Sequence, residues 1–470
     1  MRNRKRLGIL LAIGTVLIAS SLYAAEGGMT DNMIEYFRKN VDLSGHNRAM
    51  FNALTNTDIE KIAVNREIIQ NHNDVFSHKI KARGITNQKS SGRCWLFSSL
   101  NVFRPSIIEK YKMSNFEFSQ NYLAFWDKME KANTFLEYII EFRDRDLLDR
   151  ELVRVLEMPL NDGGYWHYTS ALIKKYGLVP AEIMPESNSS GKTRAMNSII
   201  GRKLRSDAAE LRRMYADGVS VADLRQGKET MLSEVYKMLV FNLGEPPVKF
   251  THIFEDRDTV VNEPKEYTPL SFYKEFTAID LDEYVDIYND PSREYYQHYA
   301  INMTRNMYDQ DDIHYVNAPI EVIKKAAMES ILNDDPVLFG CDVGKDQSRE
   351  LGIMADHLYD FESIYDVDMS MTKAERSLFR ESTVNHAMVF VGIDIRDGKP
   401  TKWRVENSWG NEKGNKGYWT LYDEWFDKHV YDIVIKKKYV PEDILALYKQ
   451  NPILLPAWDP MWDYVMNISF

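Results

Sequence analysis

Residues 88–99, Gln-Lys-Ser-Ser-Gly-Arg-Cys-Trp-Leu-Phe-Ser-Ser, run from a loop of small and polar side chains straight into an apolar, helix-compatible stretch that begins at Cys94. A thiol therefore stands at a helix start, where unpaired N–H groups and the positive end of the helix dipole favour an anion. This placement predicts a nucleophile with a lowered pKa. Gln88 lies six positions upstream on the loop side. From there its side-chain N–H can face the oxygen of a carbonyl under attack. A lone cysteine is more often a small core side chain, so the assignment needs a base elsewhere in the chain.

Two later stretches provide one. Residues 385–392 (Asn-His-Ala-Met-Val-Phe-Val-Gly) and 403–410 (Trp-Arg-Val-Glu-Asn-Ser-Trp-Gly) read as strands with turn residues near their ends. In this reading His386 holds the sulfur anion as an ion pair and later protonates the leaving amine, and the Asn407 amide fixes the imidazole's orientation. Glu406 is a tempting alternative base. Neighbouring strand residues face opposite ways, so it is assigned a structural role.

The elements Gln-x5-Cys-Trp, Asn-His-Ala and Asn-Ser-Trp-Gly, in this order, resemble a papain-type cysteine peptidase. In those enzymes His and Asn follow the Cys by about 130–150 residues. Here Cys94 and His386 are 292 residues apart, which leaves room for a large insertion. Residues 87–97 (NQKSSGRCWLF), 339–345 (FGCDVGK), 403–410 (WRVENSWG), 423–426 (DEWF) and 455–461 (LPAWDPM) resemble the bleomycin hydrolase and aminopeptidase C branch. The likeness extends over nearly everything after about residue 30.

The resemblance implies an α+β, papain-like fold: a helical subdomain plus an antiparallel β-sheet or barrel subdomain, with a large, mostly helical insertion. It also implies a cysteine-type aminopeptidase that acts on short peptides through an acyl-enzyme, with Cys94, His386, Asn407 and Gln88 in the site. Gly163 and Gly164, before a second helical run, then let a substrate backbone lie in strand-like pairing with the enzyme. No cofactor or metal is expected, since neither Cys94 nor Cys341 has a second ligand at metal-binding spacing. Cys341, in an apolar strand-like run, reads as inert core. A homohexameric ring is the implied assembly.

Residues 1–25 have the three-part form of a secretory signal: Arg2, Arg4, Lys5 and Arg6, then an apolar run, then small residues. Export to the periplasm or the outside is expected, without stable membrane association once the segment is cleaved. The alternative is an uncleaved membrane anchor facing outside. The segment carries no acidic residue, and the whole chain has a net charge of −11, so the remainder is more acidic still. Nucleic acid is not an expected partner.

The expected organisation is an N-terminal arm with the helical half over 26–190, the insertion over 191–312, a β-rich half over 313–445, and a tail over 446–470 near the active cleft. Helices are expected around residues 31–39, 58–71, 119–131, 196–217, 221–243 and 319–332, and a solvated, charge-rich tract over 135–158. In the resembling family the C-terminal carboxylate pairs with the substrate's α-ammonium. This chain continues for nine residues past Met461. An endopeptidase of altered specificity is therefore kept as an alternative, as is a secreted binding protein without catalysis.

Overall fold

The computed structural model describes residues 27–81 and 84–463. Residues 1–26 and 464–470, which include the expected signal segment and most of the tail beyond Met461, lie outside them. The chain divides into two units, up to Val64 and from Asn65 onward. In the first, α1 (Asp31–Asn40), α2 (Gly45–Leu54) and α3 (Ile59–Ala63) are short, and α1 and α2 bury no residue. The single helix expected over 58–71 is two helices. Asn65 accepts from the Glu67 N–H at 3.0 Å and so caps a new helix, α4 (Arg66–Asn71).

The second unit sets helices against a twelve-stranded, mostly antiparallel sheet. α5 (Cys94–Lys110) is buried over most of its length. It packs across the strand His386–Arg396, and Ser98 donates its hydroxyl to the Ala387 carbonyl at 2.8 Å. Beyond it come α6 (Gln120–Glu141), α7 (Arg150–Glu157) and α8 (Trp166–Tyr176). α9 (Thr193–Ala216) and α10 (Val221–Leu243) follow and lie against α6. α6 runs ten residues past the expected end, and the tract expected to be solvated starts inside it, with Phe135, Leu136, Ile139 and Ile140 in the core. Within the tract Glu137 is buried against Lys228 and also pairs with the half-exposed Arg225, and just before it Lys131 and Asp127 form a buried pair at 2.7 Å, so charge here does not mark a solvated surface.

Across the middle of the sheet run the antiparallel neighbours Tyr284–Tyr288, Val430–Lys436, Val337–Cys341, His386–Arg396, Lys399–Glu406 and Tyr418–Tyr422. Residues 191–312 thus supply both the two long helices and two strands of this sheet, Tyr284–Tyr288 and Gln297–Ile301. The β-branched and aromatic composition of these strands suits burial on both faces, and Val337–Cys341 is buried at every position.

Glu406 ends one of these strands and points to Arg104 of α5, 3.2 Å away, with both side chains buried. Burial outweighs Arg104 and pushes its carboxyl up to about 7. A carboxyl raised in the folded state contributes stability that is complete below its unfolded pKa, near 4.5, and is lost as pH rises through 7. Glu406→Gln removes that dependence. Its stability relative to the parent protein should climb between pH 4.5 and 8 by up to about 3 kcal/mol, read from denaturant melts at each pH. A flat difference would contradict it.

Candidate active site

The loop before α5 is held from several sides. Gln88 is buried; its N–H and the Ser408 carbonyl bond at 2.8 Å, and its Oε1 accepts from the Ser408 hydroxyl at 2.6 Å. One hydrogen of its amide goes to the Ser91 carbonyl at 2.5 Å. The Gln88 amide has a second hydrogen. Arg93, the residue before the helix, forms a bidentate pair with Glu186 (2.9 and 2.6 Å) and donates to Ser91 and Ser190. Cys94 is the first residue of α5.

Asp162 is the anchor of this loop, and nothing in the sequence singled it out. Its side chain is 10% exposed and accepts from the Gly92 N–H at 3.0 Å, from Lys128 and Asn197 at 2.7 Å each, and from the Thr193 hydroxyl. Burial alone would raise its pKa, but Lys128, Thr193 and the Gly92 N–H hold it well below the usual carboxylate range. Its carbonyl accepts from the Trp95 indole at 2.7 Å. Gly164 is needed for a reason besides substrate approach: a Cβ there would lie 2.5 Å from the Trp95 ring.

From the sheet side, His386 opens its strand opposite Cys341, and Asn407 follows the end of the adjacent strand. His386 Nε2 and Asn407 Oδ1 are 2.9 Å apart, and the same Oδ1 accepts from the Ser408 N–H at 2.8 Å. That second bond orients the amide oxygen toward the ring, so Nε2 carries a hydrogen and donates it. His386 Nδ1 is buried without a hydrogen-bond partner among the described residues. Trp409 covers the ring at a centroid distance of 4.8 Å.

Cys94, Gly163, Gly164 and His386 all line one cleft. Gln88 and Asn407 are not among the residues that line it. The lowered thiol pKa expected from the helix start is not what the structure gives: burial pushes Cys94 up to about 11, against the opposing N–H groups of Ala387, Trp95 and Cys94 itself. Burial likewise takes His386 down to about 4, although Asn407 supports its charged form. The helix start is real, but Cys94 is only 8% exposed, and desolvation is the larger effect.

The Peptidase C1-like family matches residues 28–462. The chain belongs to this family. Among curated relatives it is 41% identical to bleomycin hydrolase of Gallus gallus over 422 residues, 87% of this chain and 93% of that one. It is 37% identical to aminopeptidase C of Streptococcus thermophilus over 416 residues, 88% and 94% of the two chains. The crystal structure of PepW from Lactobacillus rhamnosis superposes with a TM-score of 0.90 at 39% identity, covering 93% of this chain and 99% of that one. The papain-like, α+β architecture expected from the motifs is thus present. This Peptidase C1-like chain also carries buried groups in the cleft that no motif marked, among them Asp432 on the strand Val430–Lys436.

Proposed function

We propose that this chain is a cysteine aminopeptidase, cleaving the amino-terminal residue from short peptides through an acyl-enzyme. The observation that carries the reading is the His386–Asn407 bond, which leaves Nδ1 as an unpartnered base in the cleft that also holds Cys94.

Cys94 attacks the carbonyl carbon while its proton passes to His386 Nδ1. Because each group alone is neutral in this buried setting, sulfur anion and imidazolium arise together and stabilise one another. Asn407 keeps the Nε2–H direction fixed throughout. The second hydrogen of the Gln88 amide and the Cys94 N–H donate to the oxyanion in this reading. His386 then protonates the leaving amine, and it activates the water that releases the acyl group.

Gly163 and Gly164 offer backbone to the extended substrate. Assembly into a homohexameric ring belongs to this reading. It is supported by the apolar side chains of Met33, Phe37 and Phe51, which are exposed within the unit ending at Val64. Export by residues 1–25 belongs to it as well, supported by their charge and hydropathy pattern.

Free and N-acetylated alanyl coumarylamides separate this reading from the endopeptidase alternative. Selection of a free amine predicts kcat/KM at least about 100-fold higher for the free substrate, roughly the 3 kcal/mol of a charge-assisted hydrogen bond. Equal turnover of both would favour internal cleavage.

A further inference from the structure

Two lysines three residues apart on α6, Lys128 and Lys131, both end inside the protein. Buried ammonium groups at this spacing repel one another and are costly unless each is fully paired. Lys128 holds the Asp162 carboxylate at 2.7 Å. Lys131, 8% exposed, reaches the next residue along, and its Nζ donates to the Gly163 carbonyl at 2.6 Å. The same Nζ meets the Asp127 carboxylate at 2.7 Å and the side-chain and backbone oxygens of Asn161 at 3.3 and 3.4 Å. All three ammonium hydrogens therefore have acceptors. The charge also stands 5.7 Å from the centre of the Trp95 ring and 5.5 Å from that of Tyr168.

This grip has a direction. Lys131 does not line the cleft; it lines a separate small cavity, together with Asn161. The peptide that joins Gly163 to Gly164 is trans, so its C=O and N–H point opposite ways. With the carbonyl drawn to Lys131, the Gly164 N–H is turned away from that ammonium, and Gly164 lines the cleft. Neither this N–H nor the Gly164 carbonyl has a hydrogen-bond partner among the described residues. One residue earlier, the Asp162 carbonyl accepts from the Trp95 indole at 2.7 Å. Two successive carbonyls are thus fixed by side chains of α5 and α6, and Gly164 is the part of the segment left open.

We propose that Lys131 is a positioning residue for the substrate: by holding the Gly163 carbonyl from the interior, it sets the unpartnered backbone of Gly164 against the bound peptide. This rests on the peptidase reading. An α-ammonium on the substrate completes the open Gly164 carbonyl as a charge-assisted bond. The Gly163 carbonyl is already occupied by Lys131, so Gly164 carries the pairing.

In Lys131→Met, KM for alanyl-coumarylamide should rise at least about tenfold while kcat stays within about threefold, as when binding rather than chemistry is lost. Alkylation of Cys94 by iodoacetamide, which uses no backbone pairing, should keep its rate within about twofold. The single variant leaves the Asp127 carboxylate without its ammonium partner. Asp127→Asn combined with Lys131→Met removes that charge and carries the same expectation should the single variant not fold.

A readout independent of turnover uses the analogue of Ala-Ala with a methylene in place of its amide carbonyl, which keeps the α-ammonium and cannot be hydrolysed. It should protect Cys94 from iodoacetamide in the parent at a concentration at least about tenfold lower than in the variant. A purely structural lysine would lower stability and leave KM and the protection unchanged in the folded variant, and that result would overturn the proposal. So would a fall in kcat matched by slower alkylation, which would place Lys131 behind the nucleophile instead. No hydrolysis of any peptide by the parent would end the peptidase reading, while the shift in protection would still establish the part played by Lys131.

Discussion

Cys94→Ala is expected to reduce turnover of alanyl-coumarylamide by about 10⁴-fold or more, the scale seen when a covalent nucleophile is removed from a site whose members act as a unit. The fold should survive. Cys94 is a small side chain at a helix start, and its replacement removes one buried sulfur while leaving the Arg93–Glu186 pair and the Asp162 contacts in place. Cys341→Ala is the matched control. That thiol is also buried, and burial pushes its pKa well above the ordinary value. It sits in the strand behind His386, its sulfur directed at the His386 carbonyl, and it does not line the cleft. Comparable loss in both variants would mean that sulfur burial rather than nucleophilicity is being measured.

The second large effect is expected at Asp162. Its carboxylate joins the Gly92 N–H of the nucleophile loop to Lys128 of α6 and to Thr193 and Asn197 of α9. Asp162→Ala leaves Lys128, itself only 2% exposed, as a buried cation without its 2.7 Å partner. Stability should fall by about 3–5 kcal/mol, as for other broken buried pairs. Catalysis should suffer too, because Gly92 and Trp95 are positioned by the same residue; a misplacement of the nucleophile of about 1 Å costs roughly 10²-fold. Asp162→Asn keeps an acceptor for Gly92 and should fall between. Denaturant melts and kcat/KM on the same preparations check both parts. A change in stability under about 1 kcal/mol would show that Lys128 is satisfied elsewhere.

The residues proposed as catalytic were legible because their types, order and immediate neighbours carry the chemistry: a loop-to-helix junction at Cys94, and strand-end polar residues at His386 and Asn407. The long helices α9 and α10 were legible from their periodic apolar positions. Asp162 and Asp432 were not. Each owes its setting to neighbours that only the fold assembles: Asp162 to the loop before α5, α6 and α9, and Asp432 to the strands on either side of it. The extent of α6 was hidden for a related reason, since paired charges such as Lys131–Asp127 look solvated until both partners are seen to be buried. The thiol's pKa shows the limit of a local argument: the helix start favours the anion, but enclosure by α5, the His386 strand and Trp95 reverses the sign. Ser408 is a last example. It follows Asn407 in the chain, and it clamps both Gln88 and the Asn407 amide in place.

Peptide mapping after reaction with a peptidyl epoxide tests the sulfur–imidazole engine most directly. One equivalent should attach to Cys94, none to Cys341, and hydrolysis of alanyl-coumarylamide should disappear in proportion to labelling; in His386→Ala the labelling should slow by at least about 100-fold, the range of a lost general base. Hydrolysis that persists in protein fully alkylated at Cys94 would contradict the account.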